Sequence, residues 1–129
     1  DGKLEGEFAR YHLNGKLWYQ GKYSNDVHHG YWEHFFDNGQ LENNGTYQNG
    51  TKEGPWEFYH PNGQLMDKGN YKNDKEEGFW ESYWSNGQLL CKGNFKNGRR
   101  EGSWVGYNKD GKAHTFFTGT FKNGKKVRD

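Results

Sequence analysis

Glu53-Gly54-Pro55-Trp56-Glu57-Phe58-Tyr59-His60-Pro61-Asn62-Gly63-Gln64-Leu65 decides the fold, because the stretch recurs. Glu77-Gly78-Phe79-Trp80-Glu81 leads through Tyr83 to Asn86-Gly87-Gln88-Leu89 at a step of 24 residues. The step holds along the chain. Asn14-Gly15, Asn38-Gly39, Asn62-Gly63, Asn86-Gly87 and Asp110-Gly111 share it, as do Phe8, Trp32, Trp56, Trp80 and Trp104. Leu17, Leu41, Leu65 and Leu89 follow the turns, and Gly-x-aromatic triplets end at Tyr23, Tyr47, Tyr71, Phe95 and Phe121. The last triplet arrives two residues late, so the fifth unit carries an insertion near residues 114–118.

Each unit is expected to be a β-hairpin. Asn-Gly between apolar runs is the strongest short-range hairpin signal, because a type I′ turn needs positive φ at both central residues. Pairing across Asn38-Gly39 then sets Phe36 opposite Leu41, His34 opposite Asn43 and Trp32 opposite Gly45. The same register sets each large ring over a glycine of its own hairpin, a recognised rescue of strand glycines. It also sets Glu57 against Lys68 and Glu81 against Lys92. A second turn follows each triplet, at Asn25-Asp26, Asn49-Gly50, Asn73-Asp74, Asn97-Gly98 and Asn123-Gly124. Connections this short force antiparallel neighbours.

The expected fold is all-β: an elongated, single-layer antiparallel meander of tandem 24-residue hairpins, strongly twisted. It forms one domain, 1–129, of five units: 1–29, 30–53, 54–77, 78–101 and 102–129, the last acting as a cap. One face is expected to carry the Trp, Leu and Tyr series, the other Tyr11, Phe35, Tyr59 and Tyr83. Hydrophobic residues make up 29% of the chain and aromatics 19%, so rings must supply the burial that aliphatic side chains usually give. No apolar run is long enough for a membrane helix, and no leader pattern is visible, which favours a cytoplasmic setting. The first residue is Asp1 rather than Met, which leaves room for an upstream segment. The single cysteine, Cys91, excludes an intramolecular disulfide.

The frame aromatic-x-x-x-Asn-Gly-Gln-Leu, then Gly-x-Tyr-x-Asn, then Glu-Gly-x-Trp-Glu-x-Tyr resembles the MORN repeat in its variant bacterial form. Asn38-Gly39-Gln40-Leu41, Asn62-Gly63-Gln64-Leu65, Asn86-Gly87-Gln88-Leu89, Glu53-Gly54-Pro55-Trp56-Glu57 and Glu77-Gly78-Phe79-Trp80-Glu81 carry the likeness. It departs at Phe8, which replaces Trp, and in the fifth unit, where Ala113 replaces Leu. The resemblance implies an elongated interaction module with no catalytic residues. For the bacterial form it implies an antitoxin or immunity-type protein that masks a toxin or effector. Some eukaryotic members imply lipid-headgroup binding or membrane scaffolding instead.

Within the constant frame two positions vary: Arg10, His34, Phe58, Ser82 and Gly106, then His12, Phe36, His60, Trp84 and Asn108. Arg10, His12, His34, Phe36, Phe58, His60 and Trp84 are the candidate partner-binding strip, since Tyr, Trp and Arg dominate binding hot spots. Neutral variation on a solvated strip stays open beside that reading. Residues 1–90 hold 8 Lys+Arg against 14 Asp+Glu, a net −6, and residues 91–129 hold 10 against 3, a net +7. Arg99, Arg100, Lys125 and Lys126 are therefore the candidate anion-binding set for a lipid-surface alternative. The acidic body argues against tracking nucleic acid, and no converging set argues for a small-molecule substrate, an enzyme or a cofactor. His12 and His60 lie four strands apart, roughly 19 Å, so no metal is expected. Glu53, Glu77 and Glu101 are expected to be solvated loop residues.

Overall fold

The computed structural model describes residues 2–129. Eleven strands follow one another in chain order: β1 (Gly6–Tyr11), β2 (Leu17–Ser24), β3 (Val27–Phe35), β4 (Leu41–Gln48), β5 (Thr51–Tyr59) and β6 (Leu65–Lys72), then β7 (Lys75–Tyr83), β8 (Leu89–Lys96), β9 (Arg99–Gly106), β10 (Gly119–Lys122) and β11 (Lys125–Arg128). They form one antiparallel sheet in which every strand pairs only with its sequence neighbours. No α-helix occurs among the described residues. The insertion in the fifth unit folds as a short 3₁₀ turn, Thr115–Phe117.

The Asn-Gly series of Asn38-Gly39 does not take the type I′ geometry expected of it. Gly39 N–H donates to Phe36 O at 3.0 Å and Phe36 N–H to Gln40 O at 2.8 Å. Only Gly39 is left-handed there, at φ 90°, while Asn38 is not. This is a type I turn closed by a left-handed glycine, the three-residue hairpin with a G1 bulge. Asn38 turns its side chain inward instead, accepting the Gln40 N–H at 2.9 Å. The two-residue type I′ geometry belongs to the other series: Asn49 and Gly50 have φ of 51° and 84°, Asn73 and Asp74 of 51° and 68°. Asn and Asp tolerate that region better than other residues with a Cβ.

The bulge moves the register by one residue near the first turn. Trp32↔Gly45 and His34↔Asn43 pair as expected, but Phe35, not Phe36, faces Leu41. Tyr59↔Leu65 and Tyr83↔Leu89 repeat the shift. The leucines therefore pair with the Tyr/Phe series of the opposite face and leave the Trp series.

Packing across the boundary between units holds the array. Trp56 is 1% exposed and Trp32 0%. The glycine beneath each ring lies on the preceding strand: a Cβ at Gly45 would overlap the Trp56 ring, and one at Gly21 the Trp32 ring. Each ring so covers the previous hairpin's glycine rather than its own. The indole N–H groups of Trp32, Trp56, Trp80 and Trp104 donate to Lys22 O, Thr46 O, Asn70 O and Asn94 O at 3.0–3.1 Å. Between the indoles stand the triplet aromatics, edge to face. Tyr47–Trp56, Tyr71–Trp80 and Phe95–Trp104 each have centroids 5.1 Å apart with planes 82–86° apart. The ladder runs unbroken from Phe8 to Phe121, each contact worth about 0.5–1.5 kcal/mol beyond its buried area.

The rims add bonds at a similar step. Asn14, Asn38, Asn62 and Asn86 each donate Nδ2 to a backbone carbonyl 23 residues on, at 2.7–3.0 Å. Asp110, lacking that amide, ends the series. At the other rim Glu5, Glu53, Glu77 and Glu101 accept the first N–H of the type I′ turn, from Asn25, Asn73, Asn97 and Asn123, at 2.6–3.1 Å. These glutamates cap turns and are not idle loop residues. Glu57 and Lys68 are cross-strand partners as expected, yet Lys68 Nζ reaches Glu81 of the next unit at 3.3 Å.

Candidate functional site

The Trp face is the most structured surface of the sheet. Beside the ladder run three side-chain columns at the repeat step, and they divide the candidate strip by role.

The column of Arg10, His34, Phe58, Ser82 and Gly106 lies next to the indoles. The His34 and Phe58 rings stack on Trp32 and Trp56, each with centroids 6.1 Å apart and planes 24° apart. Arg10 is exposed. His34 Nδ1 is buried without a hydrogen-bond partner. Ser82 Oγ donates to Asp67 Oδ1. None of these side chains ties one unit to the backbone of the next.

The second column does so at three of its five positions. His12 Nε2 donates to Phe35 O and His60 Nε2 to Tyr83 O, both at 2.8 Å, and Trp84 Nε1 donates to Tyr107 O at 2.8 Å. Histidine and tryptophan interchange there because each offers a ring N–H at the right reach. Phe36 occupies the same place without a donor, at the mouth of the turn. His12, His60 and Trp84 are thus latches between units, and of the strip only the His34 and Phe58 rings stack on the ladder, with Arg10 exposed at the same column position.

A third column was not singled out from sequence: His28, Lys52, Glu76 and Arg100, each paired with a triplet aromatic, as in Tyr47↔Lys52 and Phe95↔Arg100. Their recurrence two residues before each repeat glycine was the available signal. Lys52 Nζ lies 5.4, 5.9 and 5.1 Å from the Trp56, Phe58 and Tyr71 ring centres. Arg100 Cζ lies 4.5, 4.8 and 5.5 Å from those of Trp104, Phe117 and Phe121. The His28 ring sits 4.2 Å from Trp32 and 4.7 Å from Tyr47.

Burial sets the electrostatics of this face. It pushes the His28 and His34 imidazoles below their ordinary pKa, with His34 adding to the effect at His28. Burial first, then the Glu76 and Asp67 carboxylates, raise the Tyr71 hydroxyl to about 12. The buried Cys91 thiol, facing Ser82 across the strands, is likewise raised by burial, which removes the thiolate that nucleophilic work needs.

The anion-binding candidates separate as well. Arg99 and Lys125 are exposed at the type I′ rim. Arg100 is taken up by its three rings, and Lys126 donates to Thr115 O at 2.7 Å and pairs with Asp129 at 2.8 Å. The opposite face carries an open hollow of about 540 Å³ bordered by Tyr31, Asn44, Pro55, Lys68, Phe79 and Glu81. Among the described residues no group of three His, Cys, Asp or Glu side chains is placed to hold a metal ion.

A family model described as the MORN repeat variant matches residues 4–25, 29–49, 52–73 and 76–97. Each segment takes in one hairpin about its Asn-Gly turn, and the fifth unit lies outside the match. No curated protein matches the chain.

Proposed function

The chain belongs to the MORN repeat variant family, and on that premise we propose that it binds a protein partner across its Trp face through the Arg10, His34 and Phe58 column. MORN repeats are generally non-catalytic binding or scaffold modules. One observation carries the choice of surface. The latch column and the two rims are used up in bonds to the backbone of neighbouring units, whereas the column beside the indoles varies in chemistry and makes no such backbone bond, Ser82 reaching only the Asp67 side chain. Aromatic and cationic side chains on a rigid platform are what a binding hot spot needs. The net −6 of residues 1–90 suits a basic partner, steered by charge. A toxin or effector masked in a 1:1 complex is the form of this reading that the bacterial repeat resemblance supports.

The test is capture of partners from source-cell lysate on the immobilised chain, with salt-step elution and mass spectrometry. The expected result is one stoichiometric protein whose affinity falls about fivefold or more with Phe58→Ser, a residue that the next unit carries at the same position. Recovery of anionic lipid alone, lost at moderate salt, would overturn the reading in favour of Arg99 and Lys125.

A further inference from the structure

The third column fills its slot against the ladder in every interior unit but one. His28 lies against Trp32 and Tyr47, Lys52 over Trp56 and Tyr71, and Arg100 over Trp104 and Phe121. The equivalent slot against Trp80 and Phe95 receives Glu76. Its Oε1 lies toward the Asn97-Gly98 turn, 3.6 Å from where a Gly98 Cβ would stand, rather than over the rings. The electron-rich face of an aromatic ring repels an anion and attracts a cation.

A second substitution enlarges the same slot. Where Phe58 closes the Lys52 slot and Phe117 the Arg100 slot, this unit has Ser82. An open cavity of about 240 Å³ results, walled by Phe58, Trp80 and Phe95. Asp67 and Glu76 both border it, and neither has an ion-pair partner among the described residues. Aromatic walls with two unpaired carboxylates make a cation site.

We propose that this slot receives an arginine side chain from a partner protein, in the place where the neighbouring units seat Lys52 and Arg100 of their own. The inference rests on the protein-binding reading above and names the partner's anchor. Arginine fits better than lysine: its planar fork reaches two carboxylates at once and stacks on rings, and Arg100 shows the guanidinium in contact with three.

The test titrates the full chain with N-acetyl-arginine amide and follows the four buried indole N–H resonances by NMR. The expected result is a saturable shift of Trp80 in the millimolar range, with Trp32, Trp56 and Trp104 little moved. N-acetyl-citrulline amide, of the same shape without charge, should bind about tenfold or more weakly. Glu76→Lys, which copies the Lys52 slot, and Ser82→Phe, which copies Phe58, should each abolish the shift while the other indole signals keep their positions. No saturable shift at Trp80, or equal binding of the uncharged analogue, would overturn the proposal. Capture of a protein partner equally well by wild type and Glu76→Lys would overturn the slot and leave protein binding standing. Probe binding without any captured protein would leave the guanidinium site and overturn protein binding.

Discussion

The first and fifth hairpins share one frame and end differently. In the first, Phe8 stands where later units have Trp, so no indole N–H is available, and among the described residues no strand precedes β1. Leu13 is fully exposed and Trp18 is 45% exposed. In the fifth, Trp104 keeps its bond to Asn94 O, and the inserted 3₁₀ turn folds back. Phe117 covers Gly106, where a Cβ would overlap it, and Thr118 Oγ1 accepts the Gly106 N–H at 3.0 Å. Cys91, Trp104 and Phe121 form a buried cluster under Leu90, Phe95 and Phe117. A single-layer sheet buries a ring only where another unit, or something imitating one, stands beside it. The insertion supplies that cover beside Trp104 and Cys91, and among the described residues no counterpart stands beside Phe8.

The largest expected effect tests this directly. Trp56→Ala should cost about 3–5 kcal/mol, as for buried indoles elsewhere, and Phe8→Ala less than half as much, by urea unfolding monitored by circular dichroism. Equal costs would erase the difference between interior and end. Phe117→Ala should come next, at about 2 kcal/mol for a half-buried ring. It should also speed the reaction of the Cys91 thiol with a disulfide reagent, because the cysteine is 4% exposed in the covered state. Unchanged thiol reactivity would mean that the insertion is not a lid on the cluster.

Smaller effects belong to the latches. His60→Ala removes one bond to Tyr83 O and should cost about 1 kcal/mol, whereas Phe36→His supplies the missing donor toward Tyr59 O and should gain a little stability. The smallest is a pH effect confined to the first half of the array. Burial depresses the His28 and His34 pKa below 6.5, so the folded state binds protons less readily than the unfolded. Their contribution is complete above about pH 6.5 and fades as pH falls through the lowered folded values. Hydrogen exchange should show β3 and β4 loosening below pH 6.5 before β8 and β9, whose equivalents are Arg100 and Gly106. Uniform loosening would contradict it.

The repeat made most of the fold legible. A step of 24 with Asn-Gly and Gly-x-Trp marks in phase gives hairpins, an all-antiparallel order and the Trp32↔Gly45 register without further help. The turn types were not legible from the dipeptide alone, since Asn-Gly suits both the type I′ turn and the bulged turn, and loop length decides between them. The one-residue shift that sends Leu41 to Phe35 follows from that. Nor does a hairpin register tell which of two flanking glycines a ring covers, because Gly45 faces Trp32 on one side and Trp56 on the other. The candidate strip mixed two columns for the same reason: His12 and His34 look alike in sequence, and only the carbonyl of Phe35, one unit away, distinguishes a latch from a surface residue. The third column needed the ladder to be seen before Glu76 stood out from Lys52 and Arg100.

A partner seated on the Trp face should feel substitutions there and not on the opposite face. The most direct measurement compares partner affinity after one substitution on each face: Phe58→Ser beside the indoles, and Phe79→Ser on the opposite face, where the ring is 51% exposed. Titration calorimetry with the captured partner should show affinity lost with Phe58→Ser and kept with Phe79→Ser. Loss with Phe79→Ser and none with Phe58→Ser would move the binding site off the Trp face to the hollow bordered by Tyr31 and Pro55.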